Sequence, residues 1–296
     1  MQVDYSSLNF KDGLAVTGKG KILRSYPMIP GIDLAGRVIE SASAAFSPGD
    51  TVVLTGAGLG EDYCGGYAEK ARVAAAPLLK LPAGITAHNA MAVGTAGFTA
   101  MLAAAALQEA GVKPEQGPVV VSGAAGGVGS IAIAILARLG YSVTAITGRQ
   151  STHSYLRNLG ATDIISREEM AQEARPLESQ RWAAAVDNVG GPILAKIIAQ
   201  TAANGAIASC GLAASHELHT TVMPFILRAI KLLGVNSTLV TREHRLKMWE
   251  TLGELFEPQF WESISETISL SQVPEYSEKI TNGEIQGRVV VDINAG

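Results

Sequence analysis

The chain has 296 residues, a net charge of −4, and 47% hydrophobic against 17% charged residues. That balance excludes intrinsic disorder, and the acidic net charge lacks the basic footprint of a nucleic-acid binder. Two cysteines, Cys64 and Cys210, are too few for a disulfide framework or a four-cysteine zinc site and suit a reducing, cytoplasmic setting.

The first residues, Met1-Gln2-Val3-Asp4-Tyr5, have neither the basic nor the apolar region of a signal peptide. No segment is expected to cross a membrane: the most apolar stretch, 131–139, is short and ends at Arg138 and Gly140. Up to about residue 90, short runs alternate with glycine and proline. Pro30-Gly31-Ile32-Asp33-Leu34-Ala35-Gly36 leads into one strand, and Pro48-Gly49-Asp50 turns into Thr51-Val52-Val53-Leu54. Residues 67–73 are expected as a further strand, and such frequent short strands suit a small barrel.

The pattern changes near Thr86. Residues 90–106 are alanine-rich, with Met91, Phe98, Met101 and Leu102, and predict a helix. Strands are then expected over 118–122, 142–147, 163–165, 183–187 and 206–209, with helices over 130–138 and 151–159. This alternation predicts an α/β fold, a doubly wound parallel sheet with right-handed crossovers. Residues 232–240 read as a sixth strand or as an edge for pairing with a second copy. Beyond about 242 the rhythm breaks into helices near 246–256 and 274–280 and a strand over 288–293.

Ser122-Gly123-Ala124-Ala125-Gly126-Gly127-Val128-Gly129 lies between the first parallel strand and its helix. There glycines let the backbone approach a pyrophosphate, and the helix N-terminus offers free N–H groups and positive dipole. Ala125, Gly126, Gly127 and Val128 are the candidate contacts, with a ligand-free turn as the bland alternative. The next strand ends at Thr147-Gly148-Arg149. Arg149 stands where an acid would hold the ribose 2′-hydroxyl of NAD; a guanidinium there, with Thr147 and Ser151 nearby, can pair with a 2′-phosphate, the alternative being a surface arginine that simply faces solvent. NADPH is therefore the expected cofactor. Asn188, before Val189-Gly190-Gly191, and Cys210-Gly211-Leu212 follow later strands and are candidates for the nicotinamide half or ordinary turns. Cys210 reads equally as a small buried residue.

The glycine spacing also fits short-chain dehydrogenases, but none of the seven tyrosines has a lysine four positions on, and the loop begins far from the N-terminus. The five histidines (88, 153, 216, 219, 244) are scattered and the cysteines are unclustered, so no metal site is expected.

Together, the Pro30–Gly36 motif, the Ala124–Gly129 loop and the C-terminal return strand resemble zinc-free medium-chain dehydrogenase/reductases. Tyr5-Ser6-Ser7-Leu8-Asn9-Phe10-Lys11-Asp12, Gly18-Lys19-Gly20, Thr147-Gly148-Arg149 and Thr221-Val222-Met223-Pro224-Phe225-Ile226-Leu227-Arg228 are similar to the acrylyl-CoA reductase group of the quinone-oxidoreductase-like branch. The resemblance implies a split GroES-like β-barrel catalytic domain (1–93 and 242–296) around a Rossmann domain (94–241), and a homodimer. Members carry further residues ahead of the Tyr5 segment, so the chain looks N-terminally short, and unpaired edges with reduced stability are expected.

The implied reaction is NADPH-dependent reduction of a short α,β-unsaturated acyl-CoA without a metal, by hydride transfer to the β-carbon. The alternatives are a quinone or small-enone reductase and a non-catalytic NADPH-binding redox sensor. Asn9, Lys11 and Asp12 lie on the segment that faces the nicotinamide in related enzymes. Asn9 is expected to donate to the substrate carbonyl or the ribose, and Lys11 to pair with Asp12. The alternative for this segment is a helix start, with Asn9 as N-cap and Asp12 in the first turn. Asp33 is a supporting group or a turn residue. Lys19, Lys21 and Arg24 form a basic run that meets CoA phosphates or simply faces solvent.

Overall fold

The chain opens with β1 (Gln2–Leu8), α1 (Phe10–Thr17), β2 (Asp33–Arg37), β3 (Thr51–Thr55) and the two-residue β4 (Leu79–Lys80). In this computed structural model, which describes residues 1–295, Val3, Leu8, Leu34, Val52 and Leu54 from these strands join one apolar cluster. Residues 67–73, expected as a strand, form bends and irregular backbone with, among the described residues, only an isolated bridge between Gln2 and Lys70. Their backbone groups are spent elsewhere: the Tyr67 N–H goes to the Pro30 carbonyl and the Ala71 N–H to Met1, each at 3.1 Å.

Next comes α2 (Ala87–Glu109). Contrary to the sequence reading, this helix is long and apolar enough to cross a membrane, but 83% of its most apolar window is buried within the protein. It is also broken at Gly94, where φ is 51° and ψ −162°.

Strand and helix then alternate as β5 (Val119–Val121), α3 (Gly127–Arg138), β6 (Val143–Thr147), α4 (His153–Asn158), β7 (Asp163–Ser166), α5 (Arg167–Met170), β8 (Trp182–Asp187), α6 (Gly191–Gln200), β9 (Thr201–Ser209), α7 (Met223–Arg228) and β10 (Lys231–Gly234). The sheet order is β10-β9-β8-β5-β6-β7, and every pair is parallel. All of β5, β6 and β8 are buried, as strands covered on both faces must be. The chain runs outward from β5 through β7, then returns to β8 on the other side. The switch point thus lies between β5 and β8, where ligands bind beyond the strands' carboxyl ends in such sheets. The strand expected over 232–240 stops at Gly234 because its neighbour β9 ends at the paired Ser209.

The chain closes with α8 (Arg242–Leu255), α9 (Pro258–Ser263), β11 (Ser265–Ser269), α10 (Val273–Thr281) and β12 (Arg288–Asp292). The second sheet runs β11-β12-β1-β2-β3-β4, with β12 antiparallel to β1. N-terminal and C-terminal segments therefore share one sheet. Two compact units result: Met1–Phe98 with Ser237–Gly296, and Thr99–Asn236.

Candidate active site

In the second unit, the loop from Ser122 to Gly126 joins β5 to α3, and the Gly126 N–H closes it on the Gly123 carbonyl at 3.0 Å. The first-turn N–H groups of α3, those of Gly127 and Val128 among them, have no partner within the helix, the arrangement that can take an anion. Ala125 is buried, while Gly126, Gly127 and Val128 are partly exposed. Beyond β6, the Thr147 hydroxyl meets the Thr152 hydroxyl at 3.2 Å and the Arg149 N–H at 3.2 Å. Thr147 is 8% exposed, so it shapes this loop from inside, whereas Ser151 is exposed and Arg149 partly so.

A second guanidinium joins them. A Cβ on Gly148 would lie 2.9 Å from Arg167 Nε and 3.0 Å from its Cζ and Nη2, so the missing side chain lets Arg167 rest against the loop. Sequence reasoning missed Arg167. Its signal was position: it directly follows β7, the strand that pairs with β6.

The loops after β8 and β9 are tied to each other and to β5. Asn188 Nδ2 donates to the Ser122 carbonyl at 2.6 Å, and Cys210 Sγ donates to Asn188 Oδ1 at 3.1 Å. Asn188 and Cys210 thus spend their side chains on loop-to-loop bonds, leaving backbone and the exposed Leu212 to face outward, with Gly211 partly exposed. Burial and the Asp187 charge push the Cys210 thiol up to about 12, which makes it a poor nucleophile.

In the first unit, Ser7, Asn9, Asp12 and Asp33 form a buried polar cluster. Asp33 Oδ2 accepts from Ser7 Oγ (2.6 Å), Asn9 Nδ2 (2.9 Å) and the Thr95 N–H (2.8 Å), and Oδ1 accepts from Thr95 Oγ1 (2.5 Å). Asp12 Oδ1 takes the Ile32 N–H and Oδ2 the Asn9 N–H, each at 2.9 Å. Asn9 is therefore the N-cap position of α1 with Asp12 three residues on.

Two expectations are corrected here. Asn9 Nδ2 is already held by Ser7, Asp12 and Asp33, so Asn9 has no donor left for a substrate carbonyl. Its Oδ1 is buried with no partner, and the amide's remaining capacity is that of an acceptor. Lys11 does not pair with Asp12. On the first turn of α1 it projects away from the inward-facing Asp12 and meets Glu61 at 2.8 Å.

Arg288, which the motif reading did not reach, starts β12 and is 2% exposed. Its Nε donates to the Ala92 carbonyl at 2.9 Å. A Cβ on Gly94 would sit 2.7 Å from Asp33 Oδ2 and 2.8 Å from Arg288 Nη2, so the glycine that breaks α2 also makes room for this cluster. In the basic run, Lys19 is bound to Glu278 at 2.6 Å and Thr281 at 2.9 Å, and Arg24 is 3.9 Å from Asp62.

Burial, and next the charge of Asp33, raise Asp12 to about 7, against the opposing hydrogen bonds from Asn9 and Ile32. An acid whose native pKa exceeds its unfolded value keeps a proton longer in the native state. It favours the fold below the unfolded value, and that contribution is withdrawn as pH climbs toward 7. Melts at pH 5 and pH 8 should therefore show the wild type losing more Tm than Asp12→Asn. The extra loss should reach about 5–10 °C: titration over the roughly 2 pH units between pH 5 and 7 is worth about 2.7 kcal/mol, and each 1 kcal/mol moves Tm by about 2–4 °C in a protein of this size. Equal losses would rule out a titrating Asp12.

Comparison with known proteins agrees with this architecture. Residues 1–83 match the alcohol dehydrogenase GroES-like domain model, and residues 127–256 match the zinc-binding dehydrogenase model. The chain is 51% identical over 294 residues to the probable acrylyl-CoA reductase AcuI of Escherichia coli (strain K12), covering 99% of this chain and 90% of that protein. It is 41% identical over 295 residues to the putative quinone oxidoreductase YhfP of Bacillus subtilis (strain 168), covering 99% and 89%. The crystal structure of E. coli K-12 YhdH with bound NADPH superposes with a TM-score of 0.97 at 51% identity, covering 99% of this chain and 90% of that one. A structural or catalytic zinc takes three or four His, Cys or carboxylate ligands. Among the described residues no group of three such side chains comes together, so the residues present do not fit a zinc site. The chain belongs to the medium-chain dehydrogenase/reductases, in the quinone-oxidoreductase-like branch that includes the acrylyl-CoA reductases.

Proposed function

We propose that this chain is an NADPH-dependent reductase of short α,β-unsaturated acyl-CoA thioesters such as acrylyl-CoA. The observation that carries this reading is the guanidinium pair at the β6 loop, in a chain 51% identical to a probable acrylyl-CoA reductase. Bound NADPH supplies the hydride that adds to the β-carbon. The C=C electrons then move onto the thioester oxygen as an enolate, and a proton completes the α-carbon.

The protein's part is placement. Ala125 to Val128 and the N-terminus of α3 hold the pyrophosphate, and Arg149, Arg167 and Ser151 hold the 2′-phosphate. The loops at Asn188 and at Cys210-Gly211-Leu212 flank the nicotinamide half. Asp12 and Asp33 fix the Asn9 amide by taking its N–H groups, which leaves Oδ1 as the atom it offers, an acceptor for a ligand's donor. The enolate oxygen then takes its hydrogen bonds from donors other than Asn9. Lys11, bound to Glu61, and Asp33 serve as positioning groups.

Oxidation of NADPH, followed by its near-ultraviolet absorbance, should be rapid with acrylyl-CoA and slow when NADH replaces NADPH. Arg149→Ala and Arg167→Ala should each raise KM for NADPH about tenfold, the loss of one charge-assisted hydrogen bond, and leave the NADH rate nearly unchanged. Turnover of a simple quinone without the thioester would favour quinone or enone reduction, the reading that YhfP suggests. NADPH binding without any turnover would favour a redox sensor. Asn9→Ala should lower kcat about tenfold or more through misplacement of the ligand, with NADPH affinity nearly intact; unchanged turnover would remove Asn9 from the site.

We also propose a homodimer and a reducing, cytoplasmic setting. Among the described residues β10 pairs only with β9, and nearby Val222, Ile226 and Leu227 are 69%, 72% and 62% exposed. An unpaired strand edge beside an apolar patch suits a second copy. Both cysteines are unpaired. Light scattering should give twice the chain mass for the wild type and the single mass for Ile226→Glu; a monomeric wild type would refute the dimer.

A further inference from the structure

We infer that Asp187 is a positioning residue for the nicotinamide half of the cofactor site, an inference that rests on the NADPH reading above. Asp187 ends β8, beside the switch point, and its side chain is fully buried. Its Oδ1 accepts from Ser122 Oγ at 2.7 Å and the Val189 N–H at 3.4 Å, and its Oδ2 accepts the Gly190 N–H at 3.0 Å. The Ser209 side chain, at the end of β9, also donates to it. One carboxylate therefore gathers donors from the ends of three adjacent strands: β5, β8 and β9.

The contacts extend outward from there. The Ser122 hydroxyl that donates to Asp187 also accepts the Asn188 N–H at 2.9 Å, and the Cys210 N–H bonds the Asp187 carbonyl at 2.9 Å. Each loop assigned to the nicotinamide half is thus one bond away from Asp187 or bonded to it directly. The 2′-phosphate site is organised separately, by Thr147, Thr152 and Gly148 beyond β6. A defect at Asp187 should therefore loosen one end of the cofactor and spare the other. An amide in its place keeps the shape but offers a single acceptor oxygen and turns an NH2 toward N–H and O–H donors.

The test compares two ligands on the full chain: NADPH, read by its fluorescence, and adenosine 2′,5′-bisphosphate, read by calorimetry. Asp187→Asn should weaken NADPH about tenfold or more while adenosine 2′,5′-bisphosphate stays within about twofold. Ser122→Ala, which removes one arm of the network, should show the same split with a smaller loss; it decides the question if Asp187→Asn does not fold. Equal weakening of both ligands would mean a general structural role, and unchanged NADPH affinity would mean none; either overturns the inference. A wild type that binds neither ligand would instead overturn the cofactor reading itself, an outcome distinct from any variant effect.

Discussion

Asp33 takes four hydrogen bonds at a place from which water is excluded, and its surroundings are arranged to supply them. A buried carboxylate left without donors costs several kcal/mol. Ser7 from β1, Asn9 at the head of α1 and Thr95 just past the break in α2 meet that demand. Any side chain at position 94 would carry a Cβ into Asp33 and Arg288. A regular helix through this position would be locally better, and the fold accepts the irregularity to satisfy the charge.

Asp12 adds a second carboxylate to the same pocket, which raises its pKa through burial and through Asp33. An apolar core of the same volume would be simpler to stabilise. Clusters of this kind recur where a protein places reacting groups. Their effect here is to fix Asn9 with every N–H spent and its oxygen free. The geometry thus converts an expected donor into an acceptor, and it does so through partners 3 and 24 residues away in sequence.

The parallel sheet solves a related problem with opposite charges. Inside, Asp187 is held by hydroxyls and backbone N–H groups at the ends of neighbouring strands. Outside, Arg149 and Arg167 follow the ends of the adjacent parallel strands β6 and β7. Gly148, between β6 and Arg149, leaves room for the Arg167 guanidinium beside that loop.

Much of this was legible in the chain of letters. The valine run 119–121, the glycine-rich turn behind it and the later alternation of strands and helices specify a doubly wound sheet, because burial on both faces and period-matched patterns are local properties. The arginine after β6 was readable too, as a residue placed directly behind a parallel strand. The helix start at Asn9 was readable from its capping pattern. Tertiary structure alone decided which partner each polar group takes. Lys11 found Glu61 rather than Asp12, Arg167 came to Gly148 from the next strand, residues 67–73 bonded to Pro30 and Met1 rather than forming a strand, and α2 broke at Gly94. Local pattern specifies where an element forms; hydrogen-bond partners are chosen by whichever groups the finished fold leaves within about 3 Å, and no spacing in the sequence encodes that distance.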